Sequence, residues 1–134
     1  MKIKGNRQDA GGRIAPKQSA SKPASLNYPV FCLRHLQNGH DLSDCEDADQ
    51  RQLIAKLRHL SKMDWSQIEQ APRHGSGKEN ISRTSIKKEI PRIVTEDVKL
   101  WSLRFSGMKA MVGFRSGDIF HLLWLDHDFS VYGH

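Results

Sequence analysis

Three apolar segments in the C-terminal third constrain this chain more than anything else in it. "KLWSLRFSG", "KAMVGFRSGD" and "IFHLLWLD" follow one another with only "SGM" and "SGD" at their junctions. Turn-formers that short suit hairpins, so the three segments predict an antiparallel meander. In the first, Leu100, Ser102, Arg104 and Ser106 alternate with Trp101, Leu103 and Phe105. That pattern predicts one buried face and one face open to solvent or ligand. The third is apolar at nearly every position and reads as a central strand covered on both faces. His121 interrupts it and is expected to be a satisfied core residue rather than a ligand.

Upstream, "YPVFCLRHL" (28–36) reads as a strand that is largely apolar on both sides, and "QNGHD" supplies an Asn-Gly turn. Ser43 with Glu46 forms a capping-box pattern, and Asp44, Glu46, Asp47 and Asp49 crowd the turns that follow, where the helix dipole favours negative charge. Leu53, Leu57 and Leu60, widened by Ile54 and Ala55, predict a helix over 44–62. Asp64 with Gln67 starts a second, shorter helix with Trp65 and Ile68 facing the core, and Pro72 ends it. "RHGSGKEN" (73–80) lacks the spacing of a phosphate-binding loop and reads as a flexible, donor-rich connection. The order β-α-α-β-β-β predicts an α+β fold, with two helices packed on a mostly antiparallel four-stranded sheet. The first strand must then cross over to lie beside one of the later ones.

The 134 residues, 37% hydrophobic and 27% charged, suffice for one compact domain, expected over 28–134. Residues 1–27, rich in Gly, Ser, Ala, Pro and Lys, are expected to form a disordered basic arm. No apolar run approaches the roughly eighteen residues of a membrane-spanning helix, and the basic N-terminus lacks the apolar stretch of a secretory signal. Cys32 and Cys45 lack the paired spacing of a zinc site and make no disulfide framework. A reducing, cytoplasmic setting is expected. The net charge of +6 is unevenly placed: 1–27 carry +5, 73–115 carry +6, and the flanks 28–72 and 116–134 carry −2 and −3. Clustered Lys and Arg suit a polyanionic partner such as RNA.

The element order and the C-terminal motifs resemble the RelE/ParE toxin superfamily of bacterial toxin–antitoxin systems. The resemblance rests on "LWSLRF" (100–105), "SGMKAMVGFR" (106–115) and "FHLLWLDHDFSVY" (120–132). Arg104 matches the family's strand arginine, Lys109 its second basic residue, and His127 with Tyr132 its terminal pair; Asp128 stands where the family usually has Arg. The resemblance implies a RelE/ParE-like fold and a toxin-like, mRNA interferase-like endoribonuclease, a hydrolase acting on RNA, on the ribosome in some members. It also implies an antitoxin protein as partner. The superfamily includes gyrase poisons as well.

Cleavage by internal transfer from the 2′-OH needs a base, cations for the phosphorane and an acid for the leaving 5′-oxygen. Arg104, His127, Tyr132 and His134 are the candidate catalytic residues: Arg104 as phosphate clamp, the histidines as base and acid, Tyr132 stacking on a base or orienting the phosphate. Lys109, Arg115, Arg73 and Lys78 are the candidate phosphate or RNA contacts. Three of the catalytic candidates have a structural alternative. Arg104 can pair with a carboxylate across the sheet, Tyr132 can close the core, and His134 can be a frayed end. Asp126, His127, Asp128 and His134, with His121, offer ligands for Zn²⁺ or Mn²⁺. Strand alternation would point Asp126 and Asp128 away from His127, so no metal and no cofactor is expected. A third reading is a basic module that binds nucleic acid or a protein without chemistry.

Overall fold

A computed structural model describes residues 25–72 and 75–133. Seven elements carry the fold: β1 (Val30–Cys32), α1 (Asp47–Ser61), α2 (Trp65–Gln70), β2 (Lys78–Ile81), β3 (Leu100–Ser106), β4 (Lys109–Ser116) and β5 (Ile119–Asp126). The sheet has five strands in the order β1-β5-β4-β3-β2. β1 runs parallel to β5, and every other pairing is antiparallel. The α+β class, the C-terminal meander and the crossover of the first strand therefore match expectation. The strand count does not. The extra strand, β2, lies in the segment read as a flexible connection, where "KENI" has no apolar alternation to announce it. It forms because β3 offers it an open edge, pairing Lys78 with Leu103 and Ile81 with Leu100.

β1 is also shorter than expected. After Cys32 the chain leaves the sheet in a turn, then returns to β5 where Gln37 N donates to Leu123 O at 2.9 Å. Asn38 and Gly39 occupy the predicted turn, with Gly39 at φ +84°. α1 begins three residues later than the capping pattern suggested. Its N-cap Glu46 makes no side-chain capping bond, and the box falls instead on Asp41 and Asp44, around a short 3₁₀ turn at Leu42–Asp44. In α2 the predicted box is present: Gln67 N donates to Asp64 Oδ1 at 2.8 Å and Asp64 N to Gln67 Oε1 at 2.9 Å.

The helices cover one face of the sheet. Leu53, Leu60, Trp65 and Ile68 pack on Trp101, Leu103, Phe105, Met111, Phe120 and Leu122. Ile54, expected to widen the helix stripe, is 60% exposed. The opposite face, predicted to be open, is covered. Leu100, Val112, Phe114, Leu123 and Trp124 form a second core under Ile86, Ile90, Val94 and Val98 of the irregular segment 82–99, closed by Val131 and Tyr132. Lys87 N donates to Val131 O at 2.7 Å, and Ile86 bridges Tyr132. Apolar residues without periodicity carry no sequence signal for such a cover.

Two register shifts re-aim side chains. Between Val112 and Gly113 the partner residue jumps from Trp124 to Leu122, so Leu123 is extra. Leu122 and Leu125 then face the helices while Leu123 and Trp124 face the second core. A Cβ at Gly113 would lie 2.0 Å from His121 O, so only glycine admits this approach. The shift between Arg104 and Ser106 turns Ser106 toward α1, away from the face it was expected to share with Arg104. Ser25, Leu26 and Asn27, expected in the arm, are tied to Asp118 in the β4–β5 turn by bonds of 2.8, 2.6 and 3.3 Å. The rest of that arm, 1–24, lies outside the described residues. Among the described residues no helix is long and apolar enough to cross a membrane.

Candidate functional site

β5 stops at Asp126, and the reason is local. Asp126 is fully buried and its Oδ1 accepts from Val131 N at 3.1 Å, which folds the chain back. His127 N donates to Leu125 O at 2.9 Å, and Phe129 takes a left-handed φ of +61°. Asp128 Oδ1 accepts from Ser130 N at 3.2 Å and Ser130 Oγ at 2.6 Å. Strand alternation no longer applies beyond Asp126. His127 and Asp128, expected on opposite sides, come together.

The third member comes from the Asn-Gly turn. Leu125 N donates to His40 O at 2.9 Å, which anchors His40 against the end of β5. The imidazoles of His40 and His127 lie 5.4 Å apart, inclined at 43°. His127 Nε2 is 2.9 Å from Gly39 O, and His40 Nδ1 is 3.3 Å from Leu125 O. A carbonyl only accepts, so each of these nitrogens carries the hydrogen. In the neutral rings the lone pairs then fall on His40 Nε2 and His127 Nδ1. His40 is buried, His127 half-buried and Asp128 exposed, so the cluster opens to solvent on the Asp128 side. The hydrogen bonds from Ser130, then the charges of His127 and His40, hold the Asp128 carboxyl below the usual range. A cavity of about 370 Å³ adjoins the cluster, lined by Asn38, Gly39, His40, Lys88, Glu89 and Trp124 among others.

Behind the cluster lies a partly buried ion pair. Asp49 accepts from Lys109 Nζ at 2.6 Å and from Ser106 Oγ at 2.8 Å. Those two bonds, and then the charges of Lys109 and His127, lower the Asp49 carboxyl. The same bond raises Lys109. Cys45 is raised by burial and by Asp49 beside it.

The other predicted residues are dispersed. Arg104 stands in register with Ala110 and, beyond it, Asp126, on the face opposite α1, whereas Lys109 points toward α1. Tyr132 shares the Arg104 side; it is 5% exposed, its phenol raised by burial against an opposing hydrogen bond with Ser102. It closes the second core. Lys78 bonds Asn80 Oδ1 at 3.1 Å and lies 4.6 Å over the Trp101 ring. Arg115 pairs with Glu69 at 2.7 Å and stacks 4.3 Å over Trp65. Arg115 stands five residues along β4 from Ala110, at the far end of the sheet, about 17 Å away at the usual strand rise. Arg73 and His134 lie outside the described residues. His121 is half-buried and stacked 4.8 Å over Phe114, but its buried Nδ1 has no hydrogen-bond partner among the described residues, so it is not the satisfied core residue expected. Burial and His35 lower it.

His40 and Asp49 were not legible as site residues. "QNGHD" announces a turn and nothing else, and Asp49 reads as one of four acids at a helix start. No family model, curated protein or solved structure matches the chain.

Proposed function

We propose that the chain is a toxin-like endoribonuclease of RelE/ParE-like architecture that cleaves cytoplasmic RNA by attack of the 2′-OH on the adjacent phosphorus. The observation that carries this reading is the His40–His127 pair at the end of β5, two imidazoles 5.4 Å apart with their tautomers set by backbone carbonyls. His127, the more accessible, takes the 2′-OH proton on Nδ1, and the Asp128 carboxylate stabilises the imidazolium that results. His40, when it is the protonated ring, returns a proton to the leaving 5′-oxygen. Lys88 in the adjoining cavity supplies a cation for the phosphate. Arg104 and Tyr132, on the second-core face that Tyr132 helps to close, support the fold around this end rather than the reaction.

A second reading is a non-catalytic module that binds RNA or a partner protein such as an antitoxin. It is favoured by the basic stretch 73–115, whose net charge of +6 suits a polyanionic partner without requiring any chemistry.

End-labelled RNA incubated with the full-length chain in EDTA, with and without ribosomes, separates the two. Products ending in 2′,3′-cyclic phosphate, lost in His127→Gln, support the ribonuclease. RNA bound in a salt-dependent way but left intact in every condition supports the module. Deleting 127–134 is not a usable control, because Val131 and Tyr132 close the second core.

A further inference from the structure

We propose that His40, His127 and Asp128 form a binding site for a divalent transition-metal ion of the zinc class. One ligand atom from each of the three lies within 4.8 Å of the others. Two imidazoles and one carboxylate are a donor set that suits Zn²⁺, whereas Mg²⁺ and Ca²⁺ prefer oxygen alone.

The hydrogen bonds around the three residues point the same way. Histidines that hold a metal through one nitrogen almost always donate the other N–H to a carbonyl or carboxylate, which fixes ring and tautomer. Both rings already do so: His40 Nδ1 to Leu125 O and His127 Nε2 to Gly39 O. That leaves the lone pairs of His40 Nε2 and His127 Nδ1 for a ligand. Asp128 is held in the same fashion: Ser130 occupies Oδ1 twice, and Oδ2 is left to coordinate. Thus each donor has a supporting bond at the atom that would not touch the ion.

Bonds of about 2.0–2.2 Å would bring neighbouring ligand atoms of a tetrahedral site to about 3.3–3.6 Å of one another. From separations of up to 4.8 Å, the three groups therefore need to close by as much as about 1.2–1.5 Å. His127 and Asp128 can supply that movement, since they lie in a turn open to solvent, while His40 is anchored through its main chain to β5. Three protein donors leave a fourth position for water or substrate on the Asp128 side. An ion there also occupies the lone pairs assigned above to proton transfer. This consequence, though not the site itself, rests on the ribonuclease reading: zinc loading should inhibit metal-free cleavage.

The test uses the full-length chain stripped with a chelator and titrated with Zn²⁺ against a chromophoric zinc indicator, with Co²⁺ substitution to read the ligand field. The expected result is one equivalent bound at a site with tetrahedral Co²⁺ absorption. His40→Gln, His127→Gln and Asp128→Asn, each shown to be folded by circular dichroism, should each weaken binding about tenfold or more. Asp128→Asn is nearly isosteric in an exposed turn, so it tests the site even if His40→Gln fails to fold. Zinc bound with equal affinity by wild type, His127→Gln and Asp128→Asn would assign it to other histidines and overturn the proposal, as would no binding. RNA cleavage on the same samples keeps the two readings apart. Cleavage in EDTA that zinc inhibits supports both. One equivalent bound through these residues with no cleavage in either condition supports the metal site and removes the ribonuclease. Cleavage that requires zinc supports the site and removes only the metal-free route.

Discussion

The carboxylate of Asp49, in the first turn of α1, accepts a 2.6 Å hydrogen bond from the ammonium of Lys109 at the head of β4. This pair ties the helix layer to the sheet at the end where β5 turns into His127. Lys109 is thereby a structural cation, a role its position in "SGMK" did not reveal.

The pair carries a pH dependence. The folded Asp49 carboxyl lies below its unfolded value of about 3.9, so its stabilisation is fully present above that pH. It is lost as pH falls through the folded value. Lys109 is raised, so its share is present below about pH 10.4 and lost as pH rises through its folded value. Lys109→Met should lower Tm at neutral pH and flatten the acid limb of a Tm–pH curve, with Ser106→Ala acting in the same direction by less. An acid limb in Lys109→Met that superimposes on wild type would sink the coupling.

Gly113→Ala should be among the costliest small substitutions in the chain. The new methyl would meet the main-chain oxygen of His121 at 2.0 Å, and neither strand can yield without losing the bulge. Overpacking of this kind costs about 1–3 kcal/mol, or more where backbone is the obstacle. Chemical denaturation reads it as a lower midpoint; a midpoint equal to wild type would mean that the register shift is not needed.

Tyr132 separates a structural residue from a catalytic one. Tyr132→Phe removes the hydrogen bond with Ser102 and should cost about 0.5–1.5 kcal/mol, leaving any RNA cleavage unchanged. Tyr132→Ala opens the second core and should cost about 3–5 kcal/mol. If Tyr132→Phe instead abolished cleavage at full stability, the phenol would belong to the reaction after all.

For His127 the expectation is the reverse. His127→Gln should reduce cleavage by about 10²–10⁴-fold, the usual contribution of a general base, with Tm nearly unchanged because the side chain is partly exposed. A Tm drop that accounts for the lost activity would reduce the turn 127–130 to a structural corner.

Apart from the crossover of the first strand, what could be read in the sequence was local. The hairpin junctions at Gly107 and Gly117 adopt positive φ of +59° and +62°, as the "SGM" and "SGD" signals implied. The Asp64–Gln67 box caps α2, and β5 is buried on both faces at its apolar run. Each depends on neighbours within a few residues, where propensity and periodicity act. β2 escaped because four residues of "KENI" become a strand only when β3 presents an unpaired edge. The cover over the second face escaped because Ile86, Ile90, Val94 and Val98 follow neither a strand nor a helix period and are gathered by contact alone.

The same division holds for the candidate site. The sequence by itself determined that β5 ends in a titratable cluster, because an apolar run followed by Asp126, His127 and Asp128 has no other place for those groups than its end. Only the tertiary structure decided which groups meet there. It sent Arg104 to the face opposite Lys109, locked Lys109 to Asp49, buried Tyr132, and brought His40 from the far side of the chain to face His127 and Asp128. The physical reason is that alternation and spacing specify a side chain's direction only while a strand lasts. Beyond Asp126, and across the crossover that sets β1 beside β5, proximity is fixed by long-range pairing.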